Sequence, residues 1–121
     1  MRIRHIAVVV LVLAGTVAAP VLAAGPTIAV SPARVHRGRL VRVHGVVPGC
    51  PRGDRVTLLS RAFSHRREFA GEPAVFARVT ARSRYSVRTR IPSRRKPGRY
   101  RVTGRCGGGN LGVSAALTVL R

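Results

Sequence analysis

Acidic residues are nearly missing from this sequence, whose 121 residues hold 3 Asp+Glu against 23 Lys+Arg, for a formal net charge of +20. A carboxylate pair of the glycosidase kind would have to be drawn from Asp54, Glu68 and Glu72. Glu68 and Glu72 stand in a Pro- and Gly-containing stretch beside Arg66 and Arg67, where surface ion pairing is the expectation. Tryptophan is absent and aromatics make up 4% of the chain, so a large aromatic core is excluded. Serine, histidine and aspartate all occur, but no Gly-x-Ser-x-Gly elbow does, which argues against a catalytic triad. His36, His44 and His65 are dispersed without ligand spacing, so neither a metal nor another cofactor is expected. No heptads, no long amphipathic helix and no internal repeat are present.

What is present is small, aliphatic and punctuated. Hydrophobic residues reach 45%, with 13 Gly and 8 Pro, a composition that suits a packed core with many tight turns. Arg2 and Arg4 precede an uncharged run beginning at Ile6, then Pro20 and the small residues Ala23 and Ala24. This is the layout of a secretory signal peptide over residues 1–24, cleaved after Ala23 or Ala24, with an uncleaved N-terminal anchor as the alternative. The remaining 25–121 would form one domain, secreted or associated with the cell envelope. In that compartment Cys50 and Cys106 are expected to form a disulfide, because an exported chain meets oxidising conditions and no Cys-x-x-Cys redox spacing exists.

Residues 25–121 alternate with period two. Strands are expected at 27–30, 40–47, 55–60, 75–81 and 84–91, then from Arg99 through Cys106, and at 111–120. Val41 and Val43, then Tyr85, Val87 and Ile91, then Tyr100 and Val102 face inward, while Arg42, His44 and most other arginines face out. Seven strands at turn-punctuated spacing predict an all-β antiparallel sandwich. The run from Gly107 to Gly112 reads as a hairpin connection, with a backbone anion cradle as the alternative. Residues 61–74 form the least regular stretch, in which Phe63 and Phe69 either pin a loop to the core or mark a binding rim.

The opening Thr27-Ile28-Ala29-Val30-Ser31-Pro32, the stretch from Gly38 to Gly45, and Pro97-Gly98-Arg99-Tyr100 leading to Cys106 resemble bacterial immunoglobulin-like domains of secreted and surface proteins. The resemblance implies a seven-stranded antiparallel immunoglobulin-like sandwich with a core tyrosine at the Pro-Gly-x-Tyr position. The first two blocks also look like the apoproteins that carry enediyne chromophores, which implies a small-molecule ligand in a sandwich-end cleft near 61–74 and the Gly-rich loop as a second reading.

The arginines have the widest functional reach. Alternation places Arg84, Arg88 and Arg90 on one surface and Arg99, Arg101 and Arg105 on another, with Arg94, Arg95 and Lys96 in a basic turn between them. Such surfaces attract polyanions through counterion release and forked contacts to phosphate or carboxylate. The expected partners are anionic envelope polymers or an anionic membrane surface. Sequence-specific nucleic acid is not expected without a recognition helix. Aromatics do not interleave with the exposed arginines, so a stacking platform for single strands is not expected either. The resulting reading is a non-catalytic binding or structural module at the cell envelope.

Overall fold

The computed structural model describes residues 7–15 and 25–121. The predicted cleavage positions Ala23 and Ala24 lie outside the described residues. Residues 7–15 carry neither helix nor strand, and no helix among the described residues is long and apolar enough to cross a membrane.

The rest is all-β, in two sheets. Among the described residues the nine strands are β1 (Ala29–Ser31), β2 (Arg34–His36), β3 (Leu40–Val46), β4 (Arg55–Leu59), β5 (Glu68–Phe69), β6 (Glu72–Arg78), β7 (Arg84–Arg90), β8 (Gly98–Cys106) and β9 (Gly109–Leu120). A small sheet runs β1-β3-β7 and a large one β2-β9-β8-β4-β6-β5. The seven expected strands correspond to all but β2 and β5, so the count of seven is corrected to nine. Both additions are too short to show alternation: β2 has 3 residues and β5 has 2. The first strand breaks at Ser31-Pro32, because proline cannot donate a ladder hydrogen bond, and the chain resumes as β2 in the other sheet, parallel to β9. The strand expected over 75–81 instead begins at Glu72 and stops at Arg78, and Ala81–Ser83 form a short 3-10 turn.

Period-two alternation fills the space between the sheets. Val41 and Val43 of β3 and Tyr85 of β7 meet Val56 and Leu58 of β4, Val102 of β8 and Leu117 and Val119 of β9, all of them buried. Gly45 faces Tyr85 across the β3–β7 ladder, and a Cβ there would run into the Thr27 carbonyl. The absent side chain lets the segment before β1 pass close, so that the Tyr85 hydroxyl donates to the Thr27 carbonyl at 2.8 Å. Burial pushes the Tyr85 phenol up to about 12. A disulfide joins Cys50, in the β3–β4 connection, to Cys106 at the end of β8, closing a loop across 56 positions. Gly107 and Gly108 form the two-residue turn into β9, with Gly107 at a φ of 59° that glycine adopts without strain. Phe63 is fully buried in the core, whereas Phe69 stays 38% exposed, so only the first of these two aromatics pins the 61–69 stretch.

Candidate anion-binding surface

In an antiparallel ladder, directly opposed residues share a face, with Cβ atoms roughly 5 Å apart. On the outer face of the small sheet this sets Arg42 opposite Arg88, Leu40 opposite Arg90 and Val46 opposite Arg84. On the outer face of the large sheet it sets Arg55 opposite Arg78 and Thr57 between Phe76 and Arg105. Each sheet thus presents one arginine facing another across a strand pair.

Carboxylates do not relieve these pairs. Among the described residues, the ion pair within 4.0 Å joins His65 to Glu68 at 3.2 Å, and neither an arginine nor the lysine takes part. The ion pairing expected of Arg66 and Arg67 with the glutamates is therefore corrected: the Arg67 guanidinium lies over the Phe76 ring, 5.9 Å from its centroid. Arg55 covers the same ring at 4.8 Å, and Arg105 lies 5.5 Å from the Phe69 centroid. The expectation that aromatics and arginines do not interleave is also overturned. They meet between elements, not along the sequence, because sheet order sets β4 beside β6 and β6 beside β5, with β8 on the far side of β4. A ring under a guanidinium attracts it through the ring quadrupole by about 0.5–1 kcal/mol at exposed sites, and leaves the guanidinium edge open to an oxyanion.

The basic residues singled out in the sequence divide by environment. Arg84, Arg88 and Arg90 line the exposed outer face of β7, and the Arg90 Nη1 donates to the Gly38 carbonyl at 2.6 Å. Arg99 and Arg101 are exposed on β8, opposite Thr118 and Ala116. Arg94 and Lys96 are exposed in the turn before β8. Arg95 is partly buried, its Nη2 donating to the Phe63 carbonyl at 2.8 Å, so it ties the 61–69 stretch down. Arg105 is partly buried beside Phe69, and its Nε lies enclosed without a hydrogen-bond partner. The nine residues therefore do not form one patch.

Sequence reasoning missed Arg55, Arg66, Arg67 and Arg78. Arg55, Arg67 and Arg78 converge with Phe76 on a shallow depression of about 360 Å³. The Arg78 Nη1 is fixed by donating to the Gly53 carbonyl at 3.0 Å. Phe76 and Arg78, two residues apart on one strand, share a face, and that usable signal needed only the partner strand carrying Arg55. The stretch 61–74 forms a separate depression of about 450 Å³ whose lining mixes Arg61, His65 and Arg95 with Glu72. Among the described residues, no cluster of three or more His, Cys, Asp or Glu is placed to hold a metal ion.

No family model and no curated protein matches the chain. Among solved structures it is similar to the Pseudomonas fluorescens alkylpurine DNA glycosylase AlkC bound to DNA containing an abasic site analog. The TM-score is 0.52 at 18% identity, over 78% of this chain and 29% of that one. The chain spans under a third of that protein's length, and at this identity the likeness concerns the fold alone.

Proposed function

We propose that the chain is an exported, non-catalytic binding module with an immunoglobulin-like sandwich, which acts at the cell envelope by holding anionic polymers against its arginine surfaces. Two features support the immunoglobulin-like relation. The first strand splits between the sheets, leaving β1-β3-β7 to pack on a sheet centred on β9-β8-β4. Tyr100, near the start of the penultimate strand, donates its hydroxyl to the Lys96 carbonyl four residues upstream at 2.6 Å, as a tyrosine corner does. Export is supported by the apolar leading run in the sequence and is compatible with the Cys50–Cys106 disulfide.

The observation that carries the binding reading is the set of arginines on both outer faces with no carboxylate within ion-pair distance among the described residues. Charges of one sign facing each other across strands destabilise the fold, and an external polyanion relieves that repulsion. Pelleting with purified cell walls tests the reading. The protein is expected to co-sediment at low ionic strength and to lose affinity by roughly a thousandfold or more between 50 and 200 mM salt, as for ligands making several phosphate contacts. Sedimentation unchanged across that range rejects the electrostatic mechanism.

A further inference from the structure

A groove runs along one side of the sandwich where β6 of the large sheet lies against β7 of the small one with no ladder between them. Three depressions adjoin there. The 360 Å³ one at Arg55 and Arg78 shares Arg67 and Phe76 with a second of about 250 Å³, whose far wall includes Arg88 of β7. That one shares Ser64, Arg66 and Thr89 with a third of about 620 Å³, which ends at Arg90 and Arg94. No acidic residue lines any of the three. Seven arginines thus line the three adjoining depressions, contributed from both sheets and from the stretch between them.

We propose, building on the polyanion reading above, that this groove seats an extended linear polymer carrying phosphate groups at close repeat. A groove with several basic subsites in sequence fits a chain better than a flat membrane, which would meet the open sheet faces instead. Phosphate fits better than carboxylate because its oxygens project tetrahedrally, so one group is gripped from the β6 and β7 sides together, whereas a carboxylate offers its acceptor sites in a single plane. Arg55 and Arg67 are held over Phe76, Arg78 is tied to the Gly53 carbonyl and Arg90 to the Gly38 carbonyl, so four of the guanidiniums are positioned before the ligand arrives. Of the residues that the sequence singled out, Arg88, Arg90 and Arg94 belong to this groove, while Arg84, Arg95, Lys96, Arg99, Arg101 and Arg105 lie outside it.

The test is titration of the full chain with inorganic polyphosphate of graded length, followed by fluorescence anisotropy, using three charge-matched double variants. R67Q/R88Q removes two groove arginines and R99Q/R101Q removes two from the open face of β8. The groove variant is expected to weaken binding at least tenfold and to lower the slope of log affinity against log salt by about 1.4, at about 0.7 per single-strand-type contact. The face variant is expected to weaken it less than threefold. R66Q/R90Q, which leaves the rings untouched, is expected to behave like R67Q/R88Q and keeps the outcome readable if loss of Arg67 from Phe76 disturbs the fold. Affinity is expected to rise with polyphosphate length until the groove is filled. Equal weakening by groove and face variants overturns the groove while leaving diffuse polyanion attraction standing. Equal affinity for a polyuronate of matched charge overturns the preference for phosphate. Failure of the unaltered protein to bind any polyanion overturns both this inference and the reading beneath it.

Discussion

Arg42 and Arg88 on the small sheet, and Arg55 and Arg78 on the large one, are the same arrangement in different surroundings. Both pairs set two guanidiniums across a ladder with no carboxylate within ion-pair distance. The large-sheet pair is tempered: Arg55 rests on Phe76 and Arg78 donates to the Gly53 carbonyl. Among the described hydrogen bonds and ring contacts, Arg42 and Arg88 have no corresponding partner. An arginine on a strand is therefore a solvated charge or a positioned one according to what the neighbouring strand supplies.

That contrast requires both sheets to stay in register, and the largest expected effects come from loosening what holds them. Replacing Cys50 and Cys106 by alanine removes a loop constraint worth about 4 kcal/mol in the chain-entropy model, and a matching drop is expected in denaturant unfolding of the oxidised protein against the variant. Gly45→Ala forces a Cβ onto the Thr27 carbonyl beside Tyr85 and is expected to cost about 3 kcal/mol, read as a lower denaturation midpoint at unchanged slope. The Tyr85 phenol is raised from 10.0 to about 12, so the folded state holds this proton more tightly than the unfolded one. Its contribution is full below pH 10 and is lost as pH rises toward 12, by up to ~3 kcal/mol, and Tyr85→Phe is expected to flatten that alkaline decline.

Smaller changes act on the pairs themselves. Phe76→Leu keeps an apolar side chain but removes the ring beneath Arg55 and Arg67, and is expected to destabilise by about 1 kcal/mol, making the large-sheet pair resemble the small-sheet one. Arg42→Thr relieves an untempered repulsion with a good strand former and is expected to stabilise by about 0.5 kcal/mol in low salt, the gain shrinking as salt is added. If Arg55→Thr stabilises as much as Arg42→Thr, the ring and the Gly53 carbonyl do not temper the large-sheet pair.

Strand interiors were legible in the sequence because burial imposes a period of two on them: Val41 and Val43, Tyr85, and Val102 all point where alternation puts them. The short strands β2 and β5 were not, because their pairing is decided by where β9 and β6 lie, which no local pattern records. The surface followed the same division. Alternation identified the outward arginines of β7 and β8, but not that Arg95 is committed to the Phe63 carbonyl, nor that Phe76 and Phe69 lie beneath arginines from other elements. The groove was the least legible feature, since its two walls come from different sheets and its middle from the irregular stretch around Arg66 and Arg67.

β7 forms a ladder with β3 alone; its other edge borders the groove toward β6, where Thr80 donates to the Arg84 carbonyl but no strand pairs with it, so that edge can still template a strand that comes alongside. A second copy of the chain is such a strand, and edge-to-edge stacking of copies is how sheet proteins begin to aggregate. Here two β7 edges brought together would crowd Arg84, Arg88 and Arg90 against their own duplicates, so repulsion opposes that pairing. The same charge makes solubility conditional on the ionic surroundings. Where anions accumulate enough to neutralise that edge, the guard against self-pairing is lowered, and the protein is then most prone to assemble where its counterions are densest.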